Sequence, residues 1–182
     1  MLLRGTPPPA RSGTPSGTRD RRARILLSVL AIALVASACA PKPAVGPPAC
    51  AAPAAPNDPV TAAILQDVNA ERAIAGVRPL TWNRQLYCLS TNWSAQMAAT
   101  ANLHHRDLNA TIRSPGYSAY RTLGENVLRG PNGMTGQAMV DAWMASPAHR
   151  ANVLSASFTS IGIGLATSPD GIQIYATQNF GG

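Results

Sequence analysis

A chain of 182 residues, 46% apolar and 13% charged, has the composition of one ordinary globular domain with extensions, and a disordered polymer is excluded. The net charge of +7 misleads: six arginines against one aspartate in residues 1–39 supply +5 of it, and nine basic against seven acidic residues supply the rest. A nucleic-acid partner needs a basic face on the folded domain, so no nucleic acid is expected.

Residues 1–24 are rich in Pro, Gly, Ser, Thr and Arg, and Ile25 to Val35 is a short apolar run that ends in Ala36, Ser37 and Ala38. This pattern reads as a secretory signal peptide over residues 1–38, the run being too short to span a bilayer comfortably. Arg21 and Arg22 suit the twin-arginine route but equally any positively charged leader. At Cys39 two processing routes compete. The small residues fit ordinary signal peptidase, and the same residues before a cysteine are similar to a bacterial lipobox, although Ala36 stands where a branched aliphatic residue is usual. Cysteine arithmetic favours acylation of Cys39: Cys50 and Cys88 then remain as an even pair in an oxidising compartment, whereas ordinary cleavage leaves three thiols. A buried Cys88 with Cys50 free is the competing arrangement.

Ala40 to Pro59 holds seven prolines among alanines, so residues 39–58 form an extended tether and the domain occupies 59–182. Asn57-Asp58-Pro59 is a cap-plus-proline start for a helix through Val60, Ile64, Val68 and Ile74, stopped at Gly76. Asn83 caps a second helix with Leu86, Trp93 and Met97 on one face, ending near Asn102. Leu103 to Tyr120 reads as a long loop carrying His104, His105, Arg106 and Asp107, and loops of that length inside a domain tend to be functional or disordered.

Met139, Val140, Trp143 and Met144 recur at helical spacing, and Ser146-Pro147 ends that helix and restarts another. With Ser146 as cap, its hydroxyl is expected to accept a backbone N–H. That explains a serine three residues before His149 without nucleophilic catalysis, and no GxSxG motif is present. His149 becomes the third helical residue, where free N–H groups and the helix dipole disfavour an imidazolium, so its ring is expected to stay neutral. Ile161 to Leu165 and Ile172 to Gln178 alternate as strands around Ser168-Pro169-Asp170-Gly171, a hairpin. Helices first and an antiparallel hairpin last imply a layered α+β fold.

Six motifs in order, Asn69-Ala70-Glu71-Arg72, Leu80-Thr81-Trp82-Asn83, Gly124-Glu125-Asn126, Trp143 to Leu154, Ile161 to Gly164 and Thr177 to Gly181, resemble the CAP superfamily of cysteine-rich secretory, antigen 5 and pathogenesis-related proteins, in its short bacterial SCP-like form. The resemblance covers residues 60 to 181. It implies a three-layer α-β-α sandwich with a central antiparallel sheet and a cleft of two histidines and two acids that in some members binds zinc. By position His105 is similar to the first histidine, Glu125 to the first acid and His149 to the second histidine. The fourth position departs: Ser146 stands about where many members place a glutamate, and Asp141 is the nearest acid.

Two imidazoles, His105 and His149, with Glu125 as candidate general base, are the smallest set that could hold zinc or another divalent metal and activate water. The same three residues could equally form a polar cluster tying loop to helix and strand. His104 competes with His105 for the role, one of the two being expected at the solvent. Arg106 and Arg150 could clamp an anion, pairing with Asp107 or Asp141 being commoner. Trp82, Trp93 and Trp143 are read as core. The function expected is an exported, secreted or lipid-anchored, cell-envelope module, outside the cytoplasmic membrane, that binds a lipid, peptide or cell-wall ligand without turnover. A zinc-dependent peptidase-like hydrolase and a purely structural or adhesive domain are the alternatives.

Overall fold

A computed structural model describes residues 50–182. The signal peptide at 1–38, Cys39 and the tether up to residue 49 lie outside the described residues. Helix α1 spans Pro59–Ile74: Asp58 caps it by accepting the Thr61 N–H at 2.9 Å, Pro59 presets the first turn, and the buried stripe is Thr61, Ile64, Val68 and Arg72. Gly76, at φ +68°, turns the chain after the helix. A two-residue strand β1, Thr81–Trp82, leads into α2, Arg84–Thr100, whose first N–H groups at Gln85 and Leu86 are accepted by the Asn83 side chain. The expected loop beyond α2 contains a short helix α3, Leu108–Ile112, because the Asp107 carboxylate caps the Ala110 N–H at 2.9 Å.

Strand β2 is Leu123–Pro131, and α4, Gly136–Ala145, is followed after Ser146 by α5, Pro147–Val153. Ser146 has the extended backbone of a cap but makes no side-chain cap bond, contrary to expectation; Pro147 alone presets the start of α5. Strands β3, Ser160–Thr167, and β4, Gln173–Gly181, are the expected hairpin. The sheet order is β1-β3-β4-β2. Its three long strands are antiparallel, and β1 adds a parallel edge to β3 through Thr81↔Ser160 and Trp82↔Ile161.

Helices cover both faces, as in a three-layer α+β sandwich. On one side Ile64, Val68, Met139, Val140, Trp143 and Val153 pack on Ile161, Ile163 and Phe180 in the main apolar core. On the other, α2 lies directly on β3. A Cβ at Gly162 would come 2.0 Å from the backbone at Leu86 and Tyr87, and one at Gly164 would come 2.2 Å from Thr91 N, so only glycine permits the approach. Ser90 and Ser94 exploit it by donating to Gly162 O and Gly164 O, each at 2.9 Å.

Two further clasps matter for the site. Arg72, 1% exposed, donates to the carbonyls of Arg78 (2.7 Å), Val153 (2.7 Å), Ser155 (2.9 Å) and Phe158 (3.2 Å), fixing the end of α5 to α1. Burial lowers its pKa, and every polar partner is a backbone oxygen. Cys50 and Cys88 are disulfide-bonded, and Ala52 and Pro53 accept from Arg84 Nε (2.9 Å) and Trp82 Nε1 (3.1 Å). The tether's last residues therefore lie against the start of α2.

A candidate ligand-binding cleft

Three elements carry the candidate residues: the loop after α2 carries His105, β2 carries Glu125, and α5 carries His149. The structure brings the three together. His105 Nδ1 is 3.1 Å from Glu125 Oε1, and the ring centroids of His105 and His149 are 6.3 Å apart. The exposure is unequal: the His105 side chain is 57% exposed and that of Glu125 1%.

Glu125 is held from three sides. Its Oε1 also accepts the Arg106 main-chain N–H at 2.9 Å, and Oε2 accepts Asn179 Nδ2 at 3.2 Å. The strand register explains the last contact, since Glu125 lies directly across from Asn179 on β4. Asn179 is in turn anchored on α2: Ser90 Oγ lies 3.0 Å from its Oδ1 and accepts its main-chain N–H at 3.2 Å.

His149 is secured differently, through its backbone. Asn126 Nδ2 donates to the His149 carbonyl at 3.1 Å and to Gln178 Oε1 at 3.0 Å, while Asn152 Nδ2 donates to Glu125 O (3.1 Å) and Asn126 Oδ1 (2.9 Å). The half-buried His149 ring has its pKa lowered, by burial first and by the charge of His105 second. Desolvation and a like neighbour thus favour the neutral ring.

The other candidates fall elsewhere. His104 packs edge-on against Trp93 at 4.7 Å between centroids, and its carbonyl accepts the Trp93 indole N–H at 3.0 Å. Arg106 stacks 4.5 Å over the Trp93 ring and donates to Leu89 O at 3.1 Å, with burial lowering its pKa against the opposing pull of Glu125 and Tyr117. It is a clasp on α2, and Arg150 is exposed. Asp141 is exposed and accepts from Gln137 of its own helix at 2.8 Å, and Ser146 is half-buried. Trp143 and Trp93 are buried and Trp82 half-buried.

A catalytic zinc keeps three protein ligands and one open position. Here Glu125 spends its carboxylate on hydrogen bonds, and among the described residues no three His, Cys, Asp or Glu side chains gather as a ligand set. What the residues offer is a polar cluster of two neighbouring imidazoles, one of them largely exposed, with a buried, hydrogen-bonded carboxylate against His105.

Sequence reasoning found the two histidines and Glu125 but missed Ser90, Asn126, Asn152, Gln178 and Asn179, which hold them. Asn126, Asn152, Gln178 and Asn179 lie inside the motifs that carry the family resemblance; the pairings of Asn126 with Gln178 and Glu125 with Asn179 across β2 and β4 give three of them their role.

Residues 65–180 match the family described as CAP, the cysteine-rich secretory protein family. The uncharacterized protein YkwD of Bacillus subtilis (strain 168) is 34% identical over 112 residues, 58% of this chain and 42% of YkwD. This chain therefore spans less than half of that relative's length. An extracellular protein containing a SCP domain from Bacillus anthracis str. Ames aligns with TM-score 0.53 and 25% identity, over 64% of this chain and 38% of that one. An outer surface protein from Borrelia burgdorferi aligns with TM-score 0.57 and 17% identity, over 65% and 88% of the two chains, a likeness of fold alone.

Proposed function

The chain belongs to the cysteine-rich secretory protein (CAP) family, and from that membership we propose that it is an exported cell-envelope protein whose cleft binds a ligand without turning it over. One observation carries the non-enzymatic reading. Glu125, the candidate general base, is 4% exposed and already accepts from Arg106, Asn179 and His105, so it reaches no water to activate. About where the family resemblance implies a second acid this chain has Ser146, and Asp141, the nearest acid, accepts from Gln137. A zinc-dependent hydrolase would need a third ligand from outside this set.

Export is supported by the Cys50–Cys88 disulfide, a bond that persists in oxidising compartments, and by the extracellular description of the B. anthracis protein. No helix among the described residues is long and apolar enough to cross a membrane. With Cys50 and Cys88 joined, Cys39 is the third cysteine of the chain and the acceptor we assign for a lipid anchor.

The test uses purified protein with peptidoglycan fragments, envelope peptides and phospholipid vesicles as separate probes. Binding to one of them should weaken about tenfold, roughly 1.4 kcal/mol, in His149→Ala, with no product formed. Sustained turnover that disappears in His149→Ala sinks the proposal.

A further inference from the structure

Asn179 and Ser90 lie outside the cleft but end on its carboxylate. The direction of that contact is settled by chemistry rather than by atom labels: a carboxylate only accepts, so the Asn179 atom 3.2 Å from Glu125 Oε2 is the donating NH2. Its other end, Oδ1, lies 3.0 Å from the Ser90 hydroxyl, whose single proton is shared between it and Gly162 O at 2.9 Å, and Ser90 accepts the Asn179 main-chain N–H at 3.2 Å. Both Ser90 and Asn179 are fully buried, so neither end can turn to water. With Oε2 pinned by Asn179 and Oε1 by the Arg106 N–H at 2.9 Å, the carboxylate cannot rotate away from His105.

The His105 ring therefore faces an acceptor 3.1 Å from its Nδ1. In a neutral imidazole one nitrogen donates and the other accepts. The donor must be Nδ1, which leaves the lone pair on Nε2, the nitrogen on the side of the ring away from Glu125.

We propose that Asn179, oriented by Ser90, is the positioning residue that locks His105 as its Nδ1–H tautomer, so that the cleft presents an imidazole acceptor and takes a hydrogen-bond donor, a hydroxyl or amide N–H, at that point. The ligand class rests on the binding function proposed above; the tautomer does not. A ligand rich in hydroxyls or amides satisfies Nε2, whereas a bare carboxylate or phosphate meets a lone pair.

The tautomer is read on 15N-labelled, ligand-free protein by long-range proton–nitrogen correlation of the imidazole at a pH where the ring is neutral. In the wild type the Nδ1–H form of His105 should outnumber the Nε2–H form at least tenfold. Asn179→Leu should lower that ratio threefold or more while the far-ultraviolet circular dichroism stays unchanged. If Asn179→Leu does not fold, Ser90→Ala, which keeps both the amide and the carboxylate, should move the ratio in the same direction by less. Glu125→Gln, whose amide can donate, should raise the Nε2–H form. A wild-type His105 protonated on Nε2, or a ratio unmoved in the variants that fold, overturns the inference. Should the tautomer be as stated and peptidoglycan fragments, envelope peptides and vesicles all fail to bind, the binding function falls and the positioning role stands.

Discussion

The two faces of the sheet are built on opposite principles, and each delivers one histidine. The face under α2 is close-packed backbone to backbone: Gly162 and Gly164 admit the helix, Ser90 and Ser94 bond to strand carbonyls, and Asn179 carries that rigidity to Glu125 and His105. The face under α1, α4 and α5 is an apolar core around Trp143, Ile161 and Phe180, and His149 rides on it through the main chain of α5. A face held by short polar contacts tolerates no added atom. An apolar core responds in proportion to the volume removed.

Gly162→Val breaks the first face outright. A Cβ there meets α2 backbone at 2.0 Å, and backbone cannot swing aside as a side chain can. The expected loss exceeds about 3 kcal/mol, above the usual range for overpacking, and should appear as failure to give a cooperative urea transition. On the opposite face Trp143→Ala should cost about 3–5 kcal/mol by the same measurement, as a large cavity in a core does. Trp143→Phe sharpens the point: it keeps most of the ring and deletes an indole N–H that is buried without a partner, so its cost should be far smaller.

Ser94→Ala removes the donor to Gly164 O and the partner of Thr177 Oγ1 at 2.8 Å, leaving buried polar atoms unpaired, and should cost about 1–2 kcal/mol. The smallest effect is the pH dependence of His149. Its folded pKa is lowered, so the unfolded chain binds the proton more tightly, and the stability this contributes is present above the ordinary histidine value of about 6.5 and lost as pH falls below it. His149→Gln should flatten the fall in melting temperature below about pH 6.5 relative to wild type. An equally steep profile in the variant would assign that dependence to other groups.

Most of the helical frame was legible because its signals are local. Asp58-Pro59, Asn83 and Ser146-Pro147 each state where a helix begins, and apolar spacing states which side is covered. The antiparallel hairpin was equally readable from Ser168 to Gly171. The parallel strand β1 was not: two residues carry no periodicity, and its partner lies 79 positions away in both paired residues. Helix α3 hid in a stretch dense in loop residues, its five positions being too few to establish a stripe. At the cleft the histidines and Glu125 were found from motif resemblance, whereas Ser90 and Asn179 gain meaning from the register of β2 on β4 and the height at which α2 meets the sheet. The serine looked like one more small residue on a helix.

Arg72 has a consequence for how this domain can change over time. Its clasp reads the path of the chain rather than the identity of its neighbours, since all four acceptors belong to the main chain. Replacements at positions 78, 153 and 155 that preserve the local course therefore leave the clasp intact, and a drifting lineage keeps α5 in place for as long as position 72 itself remains arginine.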